Sequence, residues 1–314
     1  MWPALLAGQQ RVVTRAQARY CGLTDAVVND RLRRGVWQRL LPGTLLVGPG
    51  PASGEQWQQA AIQYAGEGAA LDSLTALKIH GVRYLPSTDA IHLVVPHTRR
   101  LATPERIAVR RTRRPIPVDP RHELPVLSVP YALVAAGIGR SLRTVRAMTA
   151  DAVQRGFTTV DALEVAGATA PRRGSTPLHR AIGDLVAGVR SAPEAEFRDL
   201  LRGRLDIPEP EWNVTLALAD GTVLGCVDGY CHEAALIHEV DSQEHHAYAE
   251  KREATERRRS RLTSYGLTVL ASSPRRIRED GPAVVEEYVR AYGLGRLKGP
   301  VPGIVVLRTL RRAA

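Results

Sequence analysis

The sequence predicts a multidomain α/β protein in three successive parts. A front pair of short helices leads into two strands, a middle segment alternates helices and strands, and a C-terminal segment reads helix, three strands, helix, strand, helix. Length is the first observation behind this: 314 residues allow about two domains at ~150 residues each. Composition is the second, with 44% hydrophobic and 24% charged residues, an ordinary globular balance. The third is hydrophobic spacing, which switches along the chain between helical and alternating periods.

Several classes are excluded at once. The longest apolar stretches, such as "VLSVPYALVAAGIG", fall short of the ~20 residues a membrane span needs. The start "MWPALLAGQQRVVTR" lacks the basic and apolar regions of a signal peptide, so a cytoplasmic location with no membrane partner is expected. Cys21, Cys226 and Cys231 give an odd count, which argues against a secreted disulfide framework. The formal charge is +11 and sits at the front: residues 1–122 hold 17 Arg and Lys against 8 Asp and Glu, whereas residues 123–314 hold 26 against 24. A basic front of this kind attracts a phosphate backbone without regard to sequence.

Residues 1–52 are read as one module. Thr14 is placed to cap a helix through about Tyr20, Gly22 ends it, Thr24 caps a second helix through about Arg34, and Gly35 ends that one. Two short helices with a glycine-containing turn make a helix-turn-helix. Ala16, Tyr20, Leu23, Val27, Val28 and Leu32 recur at roughly helical spacing and are expected on its buried side. "VWQRLLPGTLLV" then reads as two strands around Pro42-Gly43, the wing of a winged helix. In such a module the second helix enters the major groove, so Asn29, Arg31, Arg33 and Arg34 are expected to face double-stranded DNA, with Arg39 on the wing.

This run, followed by "ALDSLTALKIHGV", "IHLVVP" and "LPVLSVPYALVAAG", resembles the AbiEi-type antitoxin family, which joins a winged helix to an α/β domain. The resemblance spans roughly residues 5–165. It implies DNA binding, repression of the protein's own operon and a cognate toxin or defence partner.

The middle domain is expected over residues 53–168. "EQWQQAAIQYAG" and "LDSLTALKIHG" read as helices, "IHLVVP" and "IAVRRT" as strands, and two helices follow from about 130 and 141. His80, His92 and His97 are scattered in local context, which favours structural histidines over a metal site. The arginine-rich stretch "HTRRLATPERIAVRRTRR" either extends a phosphate-binding face or is a solvated strand edge. A linker is expected over 169–184, where "GATAPRRGSTPLHR" concentrates Gly, Pro, Ser and Thr.

The last domain, residues 185–314, carries the chemistry. Ser191 caps a helix containing Phe197 and Leu200; a hairpin turns at Asp220-Gly221; "AALIHEVD" is a third strand, followed by a long charged helix, the strand "LTVLASS" and a final helix. Alternation along the third strand places Ala235, Ile237, Glu239 and Asp241 on one face. Two carboxylates ending an apolar strand are costly unless exposed or neutralised, and Asp228 ends the strand before. Three converging oxygen donors suit Mg²⁺, with Mn²⁺ as the alternative ion. A zinc site from Cys226, Cys231, His232 and His238 matches no closed Cys/His spacing.

The αβββαβα order is that of the restriction-endonuclease-like, PD-(D/E)XK core, and residues of about 185–278 resemble its very-short-patch-repair-endonuclease-like branch. The matching elements are Ser191 to Glu194, "PEPEWNV", Asp228, "EVDSQEHH", the spacing Arg258, Leu262, Gly266, and "LTVLASSPRRI". The resemblance implies that Asp228 and Glu239 hold the metal, Glu194 orients it or its water, His246 or His245 moves a proton or touches the phosphate, and Arg258 steadies the carboxylates. Asp241 stands where most of the superfamily has lysine, Ser242 replaces the branch's glycine, and Glu196 competes with Glu194 for the helix position. Two functions are therefore expected: a Mg²⁺-dependent DNA endonuclease, or an antitoxin or transcriptional regulator with an inactive nuclease fold.

Overall fold

In the computed structural model, residues 2–204, 206–241 and 249–307 are described. The chain is mixed α/β, with thirteen α-helices and three sheets among the described residues. It divides into two compact units, residues 1–179 and 180–314.

The first unit begins with helix α1 (Trp2–Gly8), strand β1 (Val12–Thr14), helices α2 (Arg15–Tyr20) and α3 (Asp25–Arg33), and strands β2 (Trp37–Leu41) and β3 (Thr44–Val47). Local chemistry sets these boundaries. Thr14 and Gln17 form a capping box, the Gln17 N–H donating to Thr14 Oγ1 at 3.1 Å and the Thr14 N–H to Gln17 Oε1 at 2.8 Å. Thr24 accepts from the Val27 N–H, and Gly43 turns β2 into β3 with a φ of +77°. Strand β1, which periodicity did not reveal, completes an antiparallel sheet in the order β1-β3-β2. The helices pack on it through Val13, Ala18, Val28, Trp37 and Leu45.

The burial expected for the helix pair is corrected. Ala16 and Val27 are exposed, and Tyr20 is 80% exposed, whereas Ala18 is fully buried. Ala16 and Tyr20 lie four residues apart and so share a face; α2 turns the Ala18 face to the sheet instead.

Next come α4 (Gly54–Ala65), β4 (Ala70–Leu71), α5 (Ser73–His80), β5 (Ile91–Pro96), β6 (Ile107–Thr112), α6 (Val129–Gly137), α7 (Leu142–Gln154), α8 (Val160–Gly167) and α9 (Thr176–Val186). The sheet order is β4-β5-β6, with β5 parallel to β6. Leu71, Leu77, Leu93, Leu127 and Leu133 are fully buried here. Asp72 caps α5 and accepts from Arg110 Nε at 2.7 Å, so part of the arginine-rich stretch is tied to a buried carboxylate. The segment 169–184, expected as a linker, is helical from Thr176 onward.

The second unit contains α10 (Ala192–Leu201), β7 (Glu211–Leu218), β8 (Val223–Cys231), a 3₁₀ turn (His232–Ala234), β9 (Leu236–Val240), α11 (Ala249–Ser264), β10 (Thr268–Ser272), α12 (Pro274–Glu279), α13 (Gly281–Lys298) and β11 (Ile304–Leu307). The five-stranded sheet runs β10-β9-β8-β7-β11, with β10 parallel to β9 and the other pairs antiparallel. One face carries a core of Phe197, Trp212, Leu236, Ile277 and Tyr288 with the helices α10, α12 and α13. The opposite face packs Val227, Tyr230 and Ile237 against Leu262 of α11.

The third strand is shorter than "AALIHEVD". Ala235 closes the 3₁₀ turn in the left-handed region, at a φ of +47°, and Asp241 follows the strand's last residue. Ile237 and Glu239 therefore share a face of β9, whereas Ala235 and Asp241 lie just outside the strand.

Candidate functional site

The carboxylates Asp228 and Glu239 named from the sequence come together where the C-terminal end of β9 runs beside β8; Asp228, expected to end its strand, lies inside β8, which continues to Cys231. The register pairs Gly229 with His238, and one step further sets Asp228 opposite Glu239. The sheet ladder gives way here to a side chain: the Val240 N–H donates to Asp228 Oδ2 at 2.8 Å. Glu239 is buried, 2% exposed, on the α11 face of the sheet.

Glu194 is brought in by α10. The Ser191 cap begins the helix and accepts from the Glu194 N–H at 3.2 Å, which turns this carboxylate inward, where it is 6% exposed. Its Oε2 accepts from Asn213 Nδ2 at 2.6 Å and from the Arg190 N–H at 2.9 Å. Asn213 sits at a φ of +51° and also donates to the Gly188 carbonyl at 3.0 Å; Asn tolerates that region better than most residues. Glu196 turns elsewhere, 3.5 Å from Arg278, so the competition within the helix goes to Glu194.

Charge is unevenly compensated across this cluster. Burial, together with the anions Glu194 and Glu239, pushes the Asp228 carboxyl up to about 6. Glu239 has cationic neighbours: Arg258 Nη2 lies 2.6 Å from Oε1, and Arg259 Nε donates to Oε2 at 3.1 Å. Arg258 also donates to the Cys226 carbonyl at 2.5 Å, which fixes it against β8. Arg259 continues to Asp241 at 3.4 Å and is what ties that residue to the group. His246, with His245, lies outside the described residues.

Sequence reasoning named Arg258 but not Arg259, Asn213 or the Arg190 N–H. "PEPEWNV" contained Asn213, and the long charged helix contained Arg259, yet neither was assigned to this group of carboxylates. Nor do the four acids close around one point: among the described residues, no three of them bring carboxylate oxygens within 4.8 Å of one another. Such a group does form from His80, Asp119 and His122. The rejected zinc set stays apart by the same measure. Cys226 is exposed, burial pushes the Cys231 thiol up to about 11, and His238 is buried against Phe197 with its imidazole pushed down to about 3.

On the first unit, α3 presents Asn29, Arg33 and Arg34 outward, and Arg39 is exposed on β2. Arg33 and Arg34 lie 3.4 and 3.7 Å from Asp30, and Asn29 accepts from Arg15 Nη2 at 2.8 Å. Exposed pairs of this kind are worth about 0–1 kcal/mol, so these guanidiniums exchange partners at little cost. Arg31 is placed differently, its guanidinium 4.9 Å over the Trp37 ring, which itself stacks on Trp2. Among the described residues, no helix is long and apolar enough to cross a membrane.

No protein-family model and no curated protein matches the chain. Among solved structures, the crystal structure of the Rv2827c protein from Mycobacterium tuberculosis is similar at a TM-score of 0.41 and 18% identity, over 66% of this chain and 81% of that one.

Proposed function

We propose that this is a DNA-binding protein whose C-terminal unit is a Mg²⁺-dependent, PD-(D/E)XK-like endonuclease and whose N-terminal helix pair and strand hairpin act as a winged helix. The observation that carries the reading is the placement of Asp228 and Glu239 on adjacent strands beside Glu194, with Asp228 held well above the usual carboxylate range by burial and by those anions. The donor chemistry, oxygen alone, is that of a hard divalent cation, supplied by Asp228 and Glu239 with Glu194 beside them rather than by three oxygens already closed around one point. Asp228 and Glu239 would hold the ion, Mg²⁺ or Mn²⁺. Once bound, it would activate water and offset the charge that builds on the phosphate during cleavage.

The chain's own groups have separate tasks in this reading. Asn213 and the Arg190 N–H fix Glu194, so that its carboxylate orients what lies between it and Asp228. Arg258 and Arg259 lie against the Glu239 carboxylate and offer guanidinium N–H groups to a phosphate. Asn29, Arg33, Arg34 and Arg39 position duplex DNA through phosphate contacts.

A second reading is favoured by one observation: two guanidiniums already neutralise Glu239. On that reading the unit is an inactive binding module, and the protein is an AbiEi-like antitoxin or regulator with a toxin partner. Plasmid cleavage in Mg²⁺ or Mn²⁺, comparing wild type with Asp228→Ala and Glu239→Ala, separates the two. Metal-dependent cutting lost in both variants supports the nuclease; no cutting in either metal, with duplex binding intact in all three proteins, supports the regulator.

A further inference from the structure

We propose that His80, Asp119 and His122 form a binding site for a divalent transition metal ion, Zn²⁺ by its donor chemistry. The site lies within the first unit and is separate from the carboxylate cluster.

His80 is the last residue of α5, and its side chain is 2% exposed. Its Nε2 lies 2.9 Å from the Leu127 carbonyl oxygen. A carbonyl only accepts, so Nε2 carries the ring proton and Nδ1 is left as a lone pair. That lone pair faces His122 Nε2 at 3.1 Å and Asp119 Oδ2 at 3.8 Å. The two rings are inclined at 71°, edge to face rather than stacked. A tetrahedral ion bound at ~2.0–2.1 Å sets its ligands about 3.3 Å apart, and the two separations bracket that value. Burial lowers the His80 pKa, which keeps the ring in the neutral form a metal requires.

The outer contacts are those of a ligand set. The imidazole N–H of a metal-bound histidine is normally held by a carbonyl or carboxylate, and ligating carboxylates are themselves hydrogen-bonded. Leu127 does the first. The Arg121 backbone N–H and side chain do the second, donating to Asp119 Oδ1 at 3.0 and 2.9 Å and to Oδ2 at 3.0 and 2.5 Å. These bonds pull the Asp119 carboxyl well below its ordinary range, so it is an anion.

Asp119 and His122 are presented by one loop that is pinned on both sides. The Asp119 N–H donates to the Val126 carbonyl at 2.8 Å, the Ser128 N–H to Pro117 at 2.8 Å, and the Leu127 N–H to Leu71 at 2.9 Å. The donors are thus positioned before any ion arrives. Two imidazoles and one carboxylate favour Zn²⁺ over Mg²⁺, which prefers oxygen alone, and they leave a fourth position for water.

Zn²⁺ competition against a chromophoric chelator, with Co²⁺ absorption as the geometric readout, tests this on the full chain. The wild type is expected to bind Zn²⁺ and to give the intense visible bands of tetrahedral Co²⁺. His122→Ala and Asp119→Asn, each checked for folding by circular dichroism, are expected to lose at least tenfold in affinity, while the exposed-histidine control His97→Ala keeps it. Equal Zn²⁺ affinity in wild type and His122→Ala, or absence of tetrahedral Co²⁺ bands in the wild type, overturns the proposal.

Discussion

Replacing Asp228 with asparagine should stabilise the metal-free protein at neutral pH. Asp228 is raised from 3.8 to about 6 by burial, Glu194 and Glu239. At about 1.4 kcal/mol per pKa unit, ionising it in the folded state costs up to about 3 kcal/mol. Because the folded pKa lies above the unfolded one, the native state holds the proton between pH 4 and 6 while the unfolded chain releases it. Wild-type stability therefore falls as pH rises through that window and stays lower above it. Asparagine carries no charge to bury, its Oδ1 still accepts the Val240 N–H, and its amide can donate to either neighbouring anion. Urea denaturation in EDTA should show Asp228→Asn more stable than wild type by about 1–3 kcal/mol at pH 7.5, with the difference fading near pH 4. Mg²⁺ at about a hundred times its Kd should restore about 2.7 kcal/mol to wild type and leave the variant unchanged. A variant less stable than wild type at pH 7.5, or a difference that does not shrink on acidification, would refute the reasoning.

Three further outcomes follow from the same structure. Arg33→Ala with Arg34→Ala should weaken duplex binding and lower the slope of log K against log salt by about 1–2; an unchanged slope in a fluorescence titration removes α3 from the DNA-contacting face. Asn213→Ala takes from Glu194 its 2.6 Å donor, and should cost about 1–3 kcal/mol in urea denaturation; no loss would mean the bond contributes nothing to folding. Gly295→Ala should destabilise the second unit by about 1–3 kcal/mol, read as a lowered midpoint of thermal unfolding, because the added Cβ would lie 2.9 Å from the Ala234 Cβ and still closer to the Ala234 carbonyl oxygen.

The elements legible in the sequence were those fixed by local chemistry. Caps at Thr14, Thr24 and Ser191, the turn at Pro42-Gly43 and the hairpin at Asp220-Gly221 each depend on residues within a few positions. What depends on pairing at a distance was not legible. Strand β1 is three residues long, too short for a period, and exists because Val12–Thr14 find Thr44–Leu46. Ala16 and Tyr20 carried the helical spacing of a buried face, yet the sheet selected Ala18. The separation of Glu194 from Glu196 was open for the same reason: both lie on α10, and partners distant in sequence, Asn213 for Glu194 and Arg278 for Glu196, separate them. His80, Asp119 and His122 were invisible as a group because the loop after β6 supplies two members and the end of α5 the third.

The charge balance around Asp228 of β8 and Glu239 of β9 bears on both functional readings. Among the described residues Glu239 has two guanidinium partners and Asp228 has none of comparable closeness, so the charge in the cluster is unevenly compensated. A cation entering beside Asp228 and Glu194 relieves the less compensated side at once. Sharing Glu239 requires it to compete with Arg258 and Arg259, and removing one partner of a buried pair costs about 3–5 kcal/mol. Arg258 is anchored to the Cys226 carbonyl, whereas Arg259 bridges to Asp241 and has that carboxylate to fall back on. Arg259 is therefore the residue that yields first. In the nuclease reading its release would free a guanidinium for phosphate as the carboxylates take the ion, and in the regulator reading it stays where it is, sharing Glu239 with Arg258.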